Sequence, residues 1–138
     1  MFTHEMEVRV RYGETDKMGY VYYGNYMQYY EIGRVEALRH LGIRYADMED
    51  VHGVFMPVVS LQVRYLRPAY YDNLVRIETS IPELPASKVK FDTRIFNEKN
   101  ELINSAQVIL CFVDTKTFVR MDAPAVITEK LIPYFENT

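Results

Sequence analysis

The chain has 138 residues, 49% of them hydrophobic, with 16 Lys and Arg against 19 Asp and Glu for a net charge of −3. That composition argues against a disordered chain, and the lack of a basic excess argues against a nucleic-acid binder. Length fits a single domain over residues 1–138, long enough to bury a core. The single cysteine, Cys111 in the run VILCFV, permits no intrachain disulfide and reads as a small buried hydrophobe in a reducing compartment. The N-terminus has no apolar signal region, and no apolar run approaches the roughly 20 residues that span a bilayer. A cytoplasmic protein without membrane insertion is expected.

Residues 5–12 alternate strictly, with Met6, Val8, Val10 and Tyr12 on one side and Glu5, Glu7, Arg9 and Arg11 on the other. This pattern predicts a half-buried strand. A turn follows from Gly13 to Gly19. From Asn25 to Leu41 the period changes. Tyr26, Tyr29, Tyr30, Gly33, Ala37, Leu38 and Leu41 form one face of a helix about 25 Å long, with Asn25 as N-cap and Gly42 as the stop. A glycine on that apolar face predicts a close approach by a strand or second helix.

Residues 43–53 read as an irregular linker with room for one helical turn. Four strand-like runs follow: 59–65, 75–81, 88–95 and 106–113, the last apolar enough to predict a central strand buried on both faces. Asn97 to Asn100 reads as a hairpin turn, and Pro82 and Pro85 bound another connection. Thr128 is the expected cap of a short C-terminal helical turn that Pro133 ends. The order of strand, long helix, four strands and short tail predicts an α+β fold, with one helix covering one face of a mostly antiparallel sheet.

Candidate chemistry narrows to carboxylates. His4, His40 and His52 share no ligand spacing and there is no second cysteine, so no metal site is expected. Phosphate-binding glycine loops and a GxSxG elbow are absent from the sequence. Asp16 lies between the first strand and the helix, beside Gly19 and the apolar Met18, Tyr20, Val21 and Tyr22. It suits a nucleophile or general base, with the N–H groups of the helix start available for a developing oxyanion. It also suits a purely turn-forming role, which aspartate fills often. Glu14 reads as a solvated turn residue. Glu31 reads as a surface partner of Arg34 one turn on, or as a second carboxylate within reach of the site. The tyrosine cluster reads first as packing. Arg64, Arg67, Lys88 and Lys90, on polar strand faces or at a turn, are the cations expected to meet a phosphate-bearing ligand.

The run RYGETDKMGYVYYGNYMQYYEIGR resembles the hotdog-fold acyl-CoA thioesterases of the 4-hydroxybenzoyl-CoA thioesterase type, through Thr15-Asp16, Gly19, Val21-Tyr22 and Asn25-Tyr26. The run PVVSLQVRYLRPAYYDNLVRIETSI resembles the same family's strand, Arg-Pro turn and strand. The resemblance implies a hotdog fold, a five-stranded antiparallel sheet wrapped around one long helix. It also implies a homodimer paired through the strand near Val58 to Tyr65 and assembled as a dimer of dimers. The implied activity is hydrolysis of an acyl-CoA thioester with no cofactor. Asp16 matches the catalytic aspartate, and the backbone N–H of Tyr23 matches the carbonyl-polarising position. Gly19, Val21, Tyr22 and Asn25 of the first run, and Val59 and Ser60 of the second, are expected to contact substrate. Many bacterial relatives have histidine where this chain has Tyr23, so an aspartate-only mechanism is expected. A hotdog dehydratase needs a histidine near the helix, which none of the three supplies. An acyl-carrier-protein thioesterase and a non-catalytic dimer that binds an apolar ligand are the competing functions.

Overall fold

Alternation forms β1 (Phe2–Arg9), with Phe2, His4, Met6 and Val8 turned inward and Thr3, Glu5, Glu7 and Arg9 toward solvent. The computed structural model describes residues 1–136, so the last two residues of the expected 1–138 domain lie outside the described residues. The strand begins and ends three residues earlier than the 5–12 alternation predicts. Val10 stays buried, but Tyr12 opens a 3-10 turn and is 76% exposed, not an inward strand residue. The cause is local: the Glu14 carboxylate takes the Arg11 N–H at 2.7 Å and turns the chain.

The long helix, α1 (Tyr26–His40), buries the whole face expected of it, Tyr26, Tyr29, Tyr30, Gly33, Ala37 and Leu38, with Leu41 just beyond. It stops in a Schellman arrangement: Gly42 adopts φ 85°, its N–H reaches Arg39 O at 2.9 Å, and Ile43 N–H reaches Leu38 O at 2.9 Å. Asn25 holds the N-cap position, but its side chain makes no cap bond. The linker contains the expected helical turn, α2 (Tyr45–Asp50), and then a two-residue strand, β2 (Val54–Phe55).

Four longer strands match the four runs: β3 (Val58–Tyr65), β4 (Leu74–Ile81), β5 (Lys88–Phe96) and β6 (Leu102–Asp114). A second two-residue strand, β7 (Arg120–Met121), precedes α3 (Ala125–Leu131). The hairpin between β5 and β6 turns at Asn97–Asn100, where Asn100 takes φ 61°. Thr128 lies inside α3 and donates to Ala125 O, so it is not the cap; Pro124 stands at that position. Pro133 falls in the 3-10 turn Ile132–Tyr134 that follows.

All pairings are antiparallel, in the order β1-β4-β5-β6, with β3 along the far side of β6 and the two short strands on the end of β6. The central strand corrects one expectation. Ala106, Val108 and Leu110 are buried, but Gln107 and Ile109 are only half-buried, because α1 covers one face alone. The other face carries cross-strand ion pairs such as Arg76 with Glu5 at 2.9 Å and Arg94 with Glu78 at 2.7 Å, pairs of at most about 1 kcal/mol when exposed.

Gly33 meets β4 as closely as its place on the apolar face predicts. A Cβ there would sit 2.5 Å from Thr79 Oγ1 and 2.9 Å from Ile77 Cγ2. Both neighbours are β-branched side chains fixed in a central strand, so neither yields cheaply. Gly33→Ala should therefore lower Tm by about 4 °C, because overpacking of about 1–3 kcal/mol exceeds the helix-propensity gain of about 1 kcal/mol. A Tm at or above wild type would show that the helix can lift away from the strand.

His4 and His40 face each other with ring centroids 5.0 Å apart. Burial first, and then the neighbouring His40, holds the His4 pKa below its ordinary value of 6.5, while Glu36 and Glu5 pull the other way. The folded state thus binds fewer protons here than the unfolded chain. This contribution to stability is complete above pH 6.5 and drains away as pH falls through that value. Thermal melts at pH 7.5 and 5.5 should show a smaller acid loss in His4→Gln than in wild type; equal losses would remove His4 as the cause.

Candidate active site

After the 3-10 turn at Tyr12–Glu14, the chain forms a miniature hairpin. Thr15 bridges Val21, Asp16 N–H donates to Tyr20 O at 3.0 Å, and Gly19 N–H donates to Asp16 O at 2.9 Å. Gly19 takes φ 87° at the end of this loop, a left-handed conformation that glycine adopts without strain. Asp16 Oδ1 accepts the Met18 N–H at 2.9 Å, so aspartate does shape the turn. Among the described residues no donor is bonded to its other oxygen. Val21, fully buried, ties the hairpin to the body through a bond from its N–H to Ala69 O.

A second 3-10 turn, Tyr23–Asn25, leads into α1. The Tyr23 amide opens this turn, where the first N–H groups have no acceptor within the helix. Tyr65 on β3 donates from its hydroxyl to Tyr23 O at 3.1 Å, so sheet and turn meet through that phenol.

Asp16, Tyr22, Tyr23 and Tyr26 on one side, and Tyr65, Leu66, Arg67 and Pro68 on the other, line a cleft of about 560 Å³. Five tyrosines, Tyr20, Tyr22, Tyr23, Tyr26 and Tyr65, are among its lining residues. The Tyr22 phenol is held above its ordinary pKa, first by the hydrogen bond with the Tyr23 phenol and also by the Asp16 carboxylate. Burial raises the Tyr26 and Tyr65 phenols in the same direction. These groups are neutral at physiological pH. The cleft therefore brings one carboxylate and the first residue of the second 3-10 turn to a wall rich in tyrosine, a set suited to an uncharged acyl group with an electrophilic carbon.

Of the residues expected at the site, Asp16, Val21, Tyr22, Tyr23 and Arg67 line this cleft. Gly19 lies on the other side of the turn with Tyr12, Lys17 and Tyr71. Asn25 and Glu31 line a separate hollow of about 420 Å³ with Gln28, Arg34, Val58 and Leu61. No ion pair joins Glu31 to Arg34 among the described residues, contrary to the surface pairing expected of them; Arg34 instead sits against Tyr45. Val59 and Ser60 are exposed on β3 and line neither space. The four cations do not converge. Arg64 faces Asp92 and Arg94 on the far side of the sheet. Lys90 pairs with Glu83 at 3.2 Å, Lys88 is exposed on β5, and Arg67 pairs with Glu101 at 3.4 Å at the rim of the cleft.

Glu14 is not the solvated residue that its sequence position implied. Its Oε1 accepts the Tyr29 hydroxyl at 2.7 Å and the Arg11 N–H at 2.7 Å. Its carbonyl accepts the Tyr22 N–H at 2.9 Å and the Asn25 side-chain amide at 2.8 Å. Tyr26, Tyr65, Leu66 and Pro68 were also not singled out as site residues. The Leu-Arg-Pro break after an alternating strand is the one local signal that could have marked the far wall.

The thioesterase superfamily profile matches residues 18–104. The chain belongs to the thioesterase superfamily. Its relatives include the acyl-CoA thioester hydrolase YbgC of Escherichia coli, 36% identical over 107 residues, 78% of this chain and 79% of that protein. The crystal structure of a DHNA-CoA thioesterase from Staphylococcus aureus superimposes with TM-score 0.83 at 33% identity, over 99% of this chain and 86% of that one. A 4-hydroxybenzoyl-CoA thioesterase structure shares the fold with TM-score 0.85 at 20% identity, over 94% of this chain and 99% of that one. The hotdog fold implied by the two sequence runs is thus the fold of this superfamily member. Its five long antiparallel strands and long helix match the expectation, with the two short strands added.

Proposed function

We propose that the protein hydrolyses an acyl-CoA thioester to free acid and CoA, with Asp16 as nucleophile or general base and the Tyr23 N–H polarising the thioester carbonyl. The observation that supports this reading is the cleft itself, which Asp16 and Tyr23, the first residue of the second 3-10 turn, line together. A thioester is already activated, so one carboxylate and one oxyanion donor suffice. In the nucleophilic route an Asp16 oxygen attacks the carbonyl carbon, the C–S bond breaks, and the CoA thiolate leaves and takes its proton from water. Water then cleaves the mixed anhydride. In the general-base route Asp16 takes the proton from the attacking water instead, and the C–S bond breaks from the resulting tetrahedral adduct as that proton passes to the CoA sulfur. Both routes build negative charge on the carbonyl oxygen, where the Tyr23 amide stabilises it. In this reading Arg67, which lines the cleft, is the cation that meets the CoA moiety. A lone buried cysteine fits a reducing cytoplasm as the setting.

Thiol release from a panel of acyl-CoAs tests the reaction. Asp16→Asn should lower kcat by about two orders of magnitude or more while KM and Tm change little. Tyr23→Phe should be mild, because the proposed donor is backbone. An Asp16→Asn enzyme with more than about half the wild-type kcat would contradict the assignment.

We also propose a homodimer through the β3 edge, which the resemblance extends to a dimer of dimers. The support is that edge: Val58, Val59 and Leu61 are 50%, 46% and 42% exposed, whereas the outward side chains of β1 at the opposite edge are polar or charged. Light scattering at micromolar concentration should give at least twice the 16.3 kDa chain mass, and combined Val58→Asp and Leu61→Asp substitution should reduce it to one. A wild-type monomer would contradict the dimer.

A further inference from the structure

Glu14 and Tyr29 are a pair that the reaction just described does not use. Tyr29 is fully buried on α1 and its hydroxyl donates to Glu14 Oε1 at 2.7 Å. Burial first, and then the bond to this carboxylate, raises the phenol well above its ordinary pKa, so it remains a neutral donor. The carbonyl of the same glutamate holds the Tyr22 N–H and the Asn25 side chain. One residue, Thr15, separates Glu14 from Asp16, and the Tyr23 N–H belongs to the peptide that joins Tyr22 to Tyr23. The reacting carboxylate and the oxyanion donor therefore both hang from Glu14, and Glu14 is held by a helix residue that packing has already placed.

We propose that Glu14 and Tyr29 are a positioning pair that sets the distance between the Asp16 carboxylate and the Tyr23 N–H. This rests on Asp16 being the reacting group and adds to it the residues that aim it. Neither member lines the cleft. Without the Tyr29 hydroxyl the half-buried carboxylate loses a donor that water reaches poorly. Its best alternative is to turn toward solvent, which draws the Thr15–Val21 hairpin away from the helix start. Misplacement of this size acts on the chemical step more than on binding.

The test measures kcat, KM and Tm for Tyr29→Phe, Glu14→Ala, the double variant and Glu14→Gln, beside Asp16→Asn and a Tyr45→Phe control. Tyr29→Phe and Glu14→Ala should each lower kcat by about tenfold or more with KM within about twofold. The double variant should be no slower than the worse single, because both changes break one unit. Glu14→Gln keeps an oxygen that accepts both bonds and should retain at least about half of kcat, and Tyr45→Phe should keep it all. Should Tyr29→Phe fail to fold, the contrast between Glu14→Ala and Glu14→Gln decides alone. Full kcat with only a lowered Tm, losses that multiply in the double variant, or a Glu14→Gln as slow as Glu14→Ala would each overturn the pair. If Asp16→Asn itself stays active, the underlying reaction scheme fails, and the positioning role fails with it. If only Asp16→Asn is slow, the scheme stands without the pair.

Discussion

The approach of α1 to β4 at Gly33 sets the frame for everything else. Two fixed side chains, Thr79 and Ile77, leave no room for a Cβ there, so the helix rests on the sheet at backbone distance. At that height Tyr30 meets Asn104 on β6, Tyr29 meets the turn before the helix, and Tyr26 meets Tyr65 on β3. Three consecutive inward tyrosines thus link one helix end to the central strand, to the turn and to the edge strand. A rigid helix start is what allows backbone amides to serve as preorganised donors.

The turn adds what packing cannot supply. A carboxylate placed on a loop would wander, but here the loop is a short hairpin closed by backbone bonds at Asp16, Gly19 and Val21. Turn-forming and chemical roles for Asp16 are not exclusive. One oxygen holds Met18 N–H, and the other has no bonded donor among the described residues. Tyrosines and aliphatic groups line most of the cleft, with Arg67 the one cation among its lining residues.

Periodicity made the long helix and the four long strands legible, because a buried face repeats every 3.6 or 2.0 residues and the chain shows both repeats cleanly. Gly33 and Gly42 were legible for the same reason: glycine on an apolar face or at a helix end has few other uses. The strands β2 and β7 were not, since two residues carry no period. Tyr12 was misplaced because alternation cannot see that Glu14 turns the chain at Arg11. Glu14 itself was misread because its partner, Tyr29, lies fifteen residues away, beyond any local window. The four cations share only a charge: Arg64, Lys88 and Lys90 stand on the outer face of the sheet, and Arg67 alone lies at the cleft, in the turn after β3. The resemblance of the first run named Asp16 and Tyr23, which the fold brings to one cleft, whereas of the far wall only Arg67 was named and Tyr65, Leu66 and Pro68 needed the fold to bring them across.

The most direct measurement of the central claim is a crystal structure with an acyl-CoA analogue in which a methylene replaces the thioester sulfur. The account predicts its ketone oxygen about 2.7–3.1 Å from Tyr23 N and an Asp16 carboxylate oxygen, or one bridging water, about 3–3.5 Å from the ketone carbon. A ketone bound instead in the hollow beside Gln28 and Glu31, or an Asp16 carboxylate turned away from the carbon, would contradict it.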